Sequence, residues 1–478
     1  MLALVLVLAL GLAGVAVVRP GPVAGWLGAG ATVPTVAPDP VEPPPEAVLA
    51  AATDTAPVPT PEGVLAALEP LTAQTSLGDR VNVSVLDVAT GQVLYDQNAG
   101  TPTVPASTTK LITAGAVLAA RGPAYRIATT AVAGATPGEI VIVGGGDPTL
   151  AVDKSGFYPG AGRLDQLAKQ VKEALGGIKP TRVTVDSSLF AGPTIEPGWD
   201  DDIPTGGFAA PITALMIDGA RVDPKGSTRA STPDLAAGRS FAKLFGLPSS
   251  AVTVRAPSPS GSPSANGSPS ANGSPPGAGG LAPGTELGRV ESPPVIRLVE
   301  FMLADSDNVV AEALARQVAL ARDQPASFAG AASAAEAVVT ELGLDLGGTA
   351  LADGSGLSRT NRITPVLLTG LLSLAASGSR PELVGIFGGL PVAAWSGTLR
   401  ERYAGAAAGT DGTDAGAGVV RAKTGTLSRV HAISGTVTTA EGRLLGFAIL
   451  ADDVPGGAEQ AQPALDRIAA TLAACGCR

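Results

Sequence analysis

The chain of 478 residues has a single histidine, His431. Any metal site or mechanism that needs two imidazoles is therefore excluded, and a Ser-His-Asp triad could use only that residue. Its two cysteines, Cys475 and Cys477, both fall in the last four residues. No disulfide framework and no C-x-x-C zinc site can be built from them. They could pair with each other, pair with another chain or stay unpaired. Aromatic residues make up 3% of the chain, which leaves few stacking platforms for single-stranded nucleic acid. A net charge of −10 argues against a surface that neutralises many phosphates. Nucleic acid is not an expected partner. Charged residues, at 15%, lie below the usual ~25%, because Ala, Gly and Pro occupy much of the chain. The length suggests two or three domains at roughly 150 residues each, with enough chain for a substantial core.

Leu2 to Val18 contain no charged or strongly polar residue. As a helix the run would span ~26 Å, slightly less than the ~30 Å hydrocarbon core of a bilayer. It exceeds the usual h-region of ~7–15 residues, and no clear A-x-A site follows. Residues 1–20 therefore read as a membrane anchor or a cleaved signal; a buried core helix is the third reading. No Lys or Arg precedes the run, which both export readings would want. Residues 21–62 include V-E-P-P-P-E and P-V-P-T-P. Prolines remove donors and stiffen the chain, so this stretch is a semi-rigid spacer. An export segment followed by a spacer places the folded part outside the cytoplasm.

Downstream, Val64–Leu71 reads as a short helix. Arg80–Asp87 alternates, Thr90-Gly91 turns, and Gln92–Tyr95 returns, which is a hairpin signal. Further helices are predicted at Thr108–Ala120, Leu164–Leu175, Val295–Ala304, Val309–Ala321, Ala331–Leu342, Thr364–Leu374 and Gln460–Ala474. Strands are predicted at Glu139–Val143, Arg182–Val185, Val430–Thr438 and Arg443–Leu450. Residues 257–280 carry the tandem repeat S-P-S-A-N-G and read as a flexible surface loop. Strands at both ends with helices between predict an α/β (α+β) sandwich. Its sheet would be mostly antiparallel and its terminal segments would meet in one domain.

Lysine is also scarce, with eight in the chain. The first, Lys110, lies in P-A-S-T-T-K-L-I-T-A, three residues after Ser107 at a predicted helix start. Positions i and i+3 share a helix face, so the amine can reach the hydroxyl. A serine hydroxyl is a poor nucleophile until a base takes its proton. Lysine can do that once burial and nearby cations lower its pKa. S-x-x-K alone is usually a chance surface helix start. Two further motifs alter that reading. Ser306-Asp307-Asn308 sits between predicted helices, and Lys423-Thr424-Gly425 begins a predicted strand and precedes Thr426. S-x-x-K with S-D-N and K-T-G is the motif set of β-lactamases and penicillin-binding proteins.

The flanks make the resemblance more specific. P-A-S-T-T-K-L-I-T-A (105–114), G-G-G-D-P-T-L (144–150), S-D-N-V-V-A-E-A-L (306–314), D-G-S-G-L-S-R-T-N-R (353–362) and A-K-T-G-T-L (422–427) resemble the D-alanyl-D-alanine carboxypeptidase/endopeptidase family S13, the DacB-like low-molecular-mass penicillin-binding proteins. The resemblance covers roughly 64–472. It implies a transpeptidase/β-lactamase-like domain, residues 63–130 and 289–478, with an antiparallel sheet covered by helices. An inserted domain, residues 131–288, would carry the low-complexity loop. No cofactor or metal is implied.

By this resemblance Ser107 would attack the carbonyl of the penultimate D-Ala of a peptidoglycan stem peptide, and Lys110 would accept its proton. Ser306 would relay a proton to the leaving amine, and Asn308 would hold Lys110 and the substrate amide. Lys423 and Thr424 would bind the terminal carboxylate. Gly425 would let the substrate lie along the strand without a Cβ clash. The N–H groups of Ser107 and Thr426 would form the oxyanion hole. β-Lactams would acylate Ser107. Asp186 and Arg359 match positions that help recognise the stem-peptide side chain; a surface charge and a loop-stabilising arginine are the plainer readings. Asp147 reads as a turn former, Asp353 as a loop cap, and His431 as a packed strand residue. A β-lactamase or esterase of the same fold, and a non-catalytic membrane-anchored sensor, stay as alternatives. The oligomeric state is left open.

Overall fold

The computed structural model describes residues 55–255, 281–403 and 413–478. The apolar run at 2–18, most of the proline-rich spacer and the tandem repeat lie outside the described residues. Helix α1 (Pro61–Thr72) opens with Thr60 as N-cap, its hydroxyl accepting the Gly63 N–H, and Pro61 as the first helical residue. Strands β1 (Val81–Asp87) and β2 (Val93–Gln97) form the predicted hairpin. The tight turn Ala106–Thr108 leads into α2 (Thr109–Arg121), which is buried on every face from Thr109 to Leu118.

The middle of the chain contributes β3 (Ala128–Ala133), β4 (Glu139–Val143), α3 (Leu164–Ala174), β5 (Arg182–Asp186), α4 (Pro233–Lys243), β6 (Val252–Val254) and β7 (Glu286–Glu291). Then come α5 (Val295–Ala304), α6 (Asn308–Ala321), α7 (Phe328–Glu341) and α8 (Pro365–Ala376). Strands β8 (Val420–Leu427), β9 (Val430–Thr438) and β10 (Leu444–Ala451) and helix α9 (Ala458–Ala474) close the chain.

One sheet has the order β2-β1-β10-β9-β8 and is antiparallel throughout. The two ends of the sequence meet in it: Val81 pairs with Ala451 and Asp87 with Leu445. Both of its faces are covered. Val64 and Leu68 of α1 and Leu465 and Ile468 of α9 pack on Ile433 and Phe447. Leu111 and Val117 of α2, with α5, α6, α7 and α8, pack on the side of Ala432 and Leu450. A fully buried Leu, Ile or Phe stabilises by about 1.5–3 kcal/mol. Double coverage explains why β1 is buried at all seven positions although its sequence alternates. At its rim, Arg443 grips the Asp87 carboxylate through Nε at 2.5 Å and Nη2 at 2.6 Å.

The segment from Ala128 to Glu291 builds a second sheet, of order β6-β5-β4-β3-β7. β3 runs antiparallel to β4 and β7, while β4, β5 and β6 are parallel. The parallel steps follow from α3 and α4, which return the chain to the same edge. Its core gathers Ile140, Ile142, Leu164, Leu167, Val183, Val185 and Phe241. β3, β6 and β7 are absent from the strands predicted above. Cys475 and Cys477 form a disulfide with each other. The Cys477 carbonyl accepts the Thr60 N–H at 2.8 Å, which ties the tail to the start of α1.

Candidate active site

Ser107 does not sit on an α-helix. It lies in the tight turn just before α2, after Ala106, whose φ of +46° is left-handed. Such a backbone costs a non-glycine residue about 1–3 kcal/mol and persists only where surrounding contacts enforce it. Here those contacts are on both sides. A Cβ on Gly356 would lie 1.8 Å from the Ala106 carbonyl oxygen, and one on Gly425 would lie 3.0 Å from the Ser107 nitrogen. The D-G-S-G loop and the K-T-G strand therefore clamp the turn, and each needs a glycine where it touches. At Gly425 the missing side chain makes room for the Ser107 turn.

At the second residue of α2, the fully buried Lys110 amine meets three oxygens: Ser107 Oγ at 3.0 Å, Asn308 Oδ1 at 2.6 Å and the Ser355 carbonyl at 2.6 Å. Asn308 Nδ2 donates to the Phe208 carbonyl at 2.9 Å, which fixes the amide so that Oδ1 faces Lys110. A neutral amine has two N–H groups and one lone pair. The Ser355 carbonyl and Asn308 Oδ1 can only accept, so they take both hydrogens. The lone pair is left for the Ser107 hydroxyl. Burial lowers the Lys110 pKa to about 8, against the opposing pull of Asp353, Glu312 and Asp307.

Ser306 has a left-handed φ of +55° and lies in the short loop between α5 and α6. Asp307 next to it caps α6, with Oδ1 accepting from Val309 and Val310. Its Oδ2 accepts from Tyr158 Oη at 2.6 Å and Arg221 Nη2 at 3.3 Å. Burial would raise its pKa, but Arg221, Arg229 and these hydrogen bonds hold it below the usual value. The segment between β3 and β7 thus holds the S-D-N loop in place.

Lys423 is fully buried near the middle of β8, not at its start. Its amine donates to the Thr424 carbonyl at 2.7 Å. Burial, then the neighbouring Lys110 and Arg402, push its pKa well below the ordinary value. Thr424 Oγ1 meets Thr398 Oγ1 at 2.8 Å. The stretch around Pro391–Ala393 pairs with the outer edge of β8 at Val420 and Ala422. By alternation, Thr424 and Thr426 point their backbone groups the same way, and no partner strand among the described residues covers them there. His431 pairs with Thr426 and shares a sheet face with Ile433, opposite the face of Lys423 and Gly425. The Nδ1 atom of His431 is buried, with no hydrogen-bond partner among the described residues.

Arg359 makes a bidentate pair with Asp200 and donates to the Ser428 carbonyl at 3.0 Å, just beyond β8. Asp186 goes elsewhere. At the end of β5, it binds Ser188 and Arg255, and no hydrogen bond among the described residues joins it to the Ser107 cluster. Asp147 accepts from the Thr149 N–H and hydroxyl, which makes it the expected turn former. Asp353 caps its loop by accepting from Gly356 and Ser358, and also from Asn361 and the Trp199 indole. The sequence reading missed Asp307, Ser355, Glu312, Thr398, Asp200 and Phe208. Only Asp307 carried a local signal, as an N-cap before Val309-Val310.

A model of the D-Ala-D-Ala carboxypeptidase 3 (S13) family matches residues 64–241 and 278–474. The chain belongs to this family. S13 membership makes it a serine-type D-Ala-D-Ala carboxypeptidase. It is 39% identical over 450 residues to carboxypeptidase Rv3627c of Mycobacterium tuberculosis, covering 92% of this chain and 90% of that one. It is 38% identical over 429 residues to carboxypeptidase DacB of Mycolicibacterium smegmatis, covering 88% and 86%. The S13 chain also shares the fold of penicillin binding protein 4 (dacB) from Haemophilus influenzae. There the TM-score is 0.64 at 21% identity, over 86% of this chain and 98% of that one.

Proposed function

We propose that this carboxypeptidase cleaves the terminal D-Ala from peptidoglycan stem peptides through an acyl-enzyme on Ser107, and that β-lactams acylate the same serine. The carrying observation is the Lys110 amine, 3.0 Å from Ser107 Oγ with both hydrogens of its neutral form taken by Asn308 and Ser355. Ser107 Oγ attacks the carbonyl of the penultimate D-Ala as its proton passes to Lys110. The oxyanion is held by the N–H groups of Ser107 and Thr426. The C–N bond then breaks, and the departing D-Ala amine takes the proton through Ser306. Water afterwards hydrolyses the ester and restores Ser107. Lys423, with Thr424 and its partner Thr398, binds the terminal carboxylate. Arg359 reads the stem-peptide side chain together with Asp200; Asp186 serves the second sheet.

Dimeric stem peptides present the same D-centred bond, so endopeptidase cleavage falls within the same chemistry. The reading places the enzyme in the cell envelope, exported and anchored through residues 2–18. No helix among the described residues is long and apolar enough to cross a membrane. The test is product analysis. The purified protein should release D-Ala from stem pentapeptide and gain the mass of penicillin, and Ser107→Ala should lose both. Labelling that survives Ser107→Ala, or rapid penicillin turnover without D-Ala release, would refute the proposal.

A further inference from the structure

The second hydrogen of the Lys110 amine goes to the Ser355 carbonyl, so whatever fixes that carbonyl helps fix the base. Ser355 lies in the D-G-S-G loop. Its N–H and that of Gly354 both donate to one oxygen of Glu312, at 2.8 and 3.0 Å. Glu312 stands four residues after Asn308 on α6, so the two share a helix face. Asn308 holds one hydrogen of the amine directly, and Glu312 holds the group that takes the other.

The energetics of Glu312 also call for an explanation. It is fully buried and pairs with Arg316, one turn further on, at 3.3 Å. Among the described residues Arg316 Nε and Nη2 have no hydrogen-bond partner, and the guanidinium lies over the Phe328 ring at 4.1 Å. Removing two charges from water is expensive, and a well-packed apolar pair of similar volume is often as stable or more so. Packing alone does not account for a carboxylate here.

We infer that Glu312 is a positioning residue for Lys110: its carboxylate fixes the loop carbonyl that holds the amine, and its charge acts on that amine. The inference rests on Lys110 being the base for Ser107. The charged groups facing Glu312 are Arg316 of its own helix, Asp353 of the loop and Lys110 of α2. Burial, then the Asp353 charge, raise the Glu312 pKa to about 7, with Arg316 opposing them. Lys110 lies at about 8. The two groups thus change charge in adjoining pH ranges, and an ionised Glu312 favours the ammonium form of Lys110.

Two variants separate position from charge. Glu312→Gln keeps an oxygen for both N–H groups but drops the charge. Its acylation by fluorescent penicillin should keep its high-pH plateau, while the acid limb moves to lower pH by roughly one unit. Glu312→Asp keeps the charge and the Arg316 pair but withdraws the carboxylate by one methylene. Its plateau should fall, by up to about 10²-fold, with the limb in place. Rates are followed by intact mass across pH, with circular dichroism to confirm folding. If Glu312→Gln does not fold, Glu312→Asp decides alone. A Glu312→Gln limb that coincides with wild type, or a Glu312→Asp plateau equal to it, would overturn the inference. Failure of the wild type to acylate would instead overturn the proposed function.

Discussion

Gly425→Ala adds a single methyl against the turn that carries Ser107. Its Cβ would lie 2.8 Å from the Pro105 carbonyl oxygen, 3.0 Å from Ala106 Cβ and 3.0 Å from the Ser107 nitrogen. The first contact is about 0.6 Å short of the 3.4 Å at which such contacts become ordinary. Two of the three atoms are backbone, so no flexible side chain can swing away. The Ser107 turn itself must move. A displacement of that size would stretch the 3.0 Å bond between Lys110 and Ser107 beyond good geometry and disturb the oxyanion nitrogen. Misplacing a reacting group by 1 Å can cost about 10²-fold, so acylation should slow by roughly 10–10²-fold. Overpacking costs about 1–3 kcal/mol, which for a chain of this length corresponds to a Tm loss of roughly 1–4 °C. Stopped-flow acylation by a fluorescent penicillin reads the first effect and differential scanning calorimetry the second. A folded Gly425→Ala variant that acylates within about threefold of wild type would refute the contact argument.

Other expectations test the site from different sides. Acylation should rise with pH through about 8, because the protonated Lys110 amine has no lone pair; a rate flat from about pH 6 to pH 9 would contradict this. Asp307→Ala uncaps α6 and leaves the half-buried Arg221 without its anion, so urea denaturation should show a loss of about 3 kcal/mol. Asp307→Asn, which keeps a capping oxygen, should lose less. His431→Ala should leave penicillin labelling intact, because His431 faces away from Ser107; near-complete loss in a folded variant would reopen its role.

The chemistry was more legible in the sequence than the fold. Ser107, Lys110, Ser306, Asn308 and Lys423 stand in short motifs whose spacing is fixed by local structure, and the structure brings Ser107, Lys110 and Asn308 into contact. The terminal sheet was legible because its strands are long and apolar or clearly alternating. β3 and β7, A-T-T-A-V-A and E-L-G-R-V-E, offer too few apolar residues to stand out, and β6 has three residues. The partners of the motifs were hidden for another reason. Asp200 and Arg359 are 159 residues apart, and Asp307 and Tyr158 149. No local pattern records such pairings, so nothing in the sequence points from Arg359 to Asp200. The turn at Ser107 was read as a helix start because nothing in P-A-S-T-T-K discloses a left-handed alanine.

The meeting of both ends of the chain in one sheet sets a schedule for synthesis. Asp87 and Arg443, which lock the rim of that sheet, are 356 residues apart. At about 5–20 residues per second, the ribosome needs roughly 20–70 s to travel from one to the other. Through that interval the hairpin β1–β2 has no neighbour at β10, and Ser107 exists without Lys423 or Gly425 to clamp its turn. On the proposed mechanism, a chain that ends before β8 should carry an ordinary, unreactive serine, and a β-lactam should capture finished molecules alone.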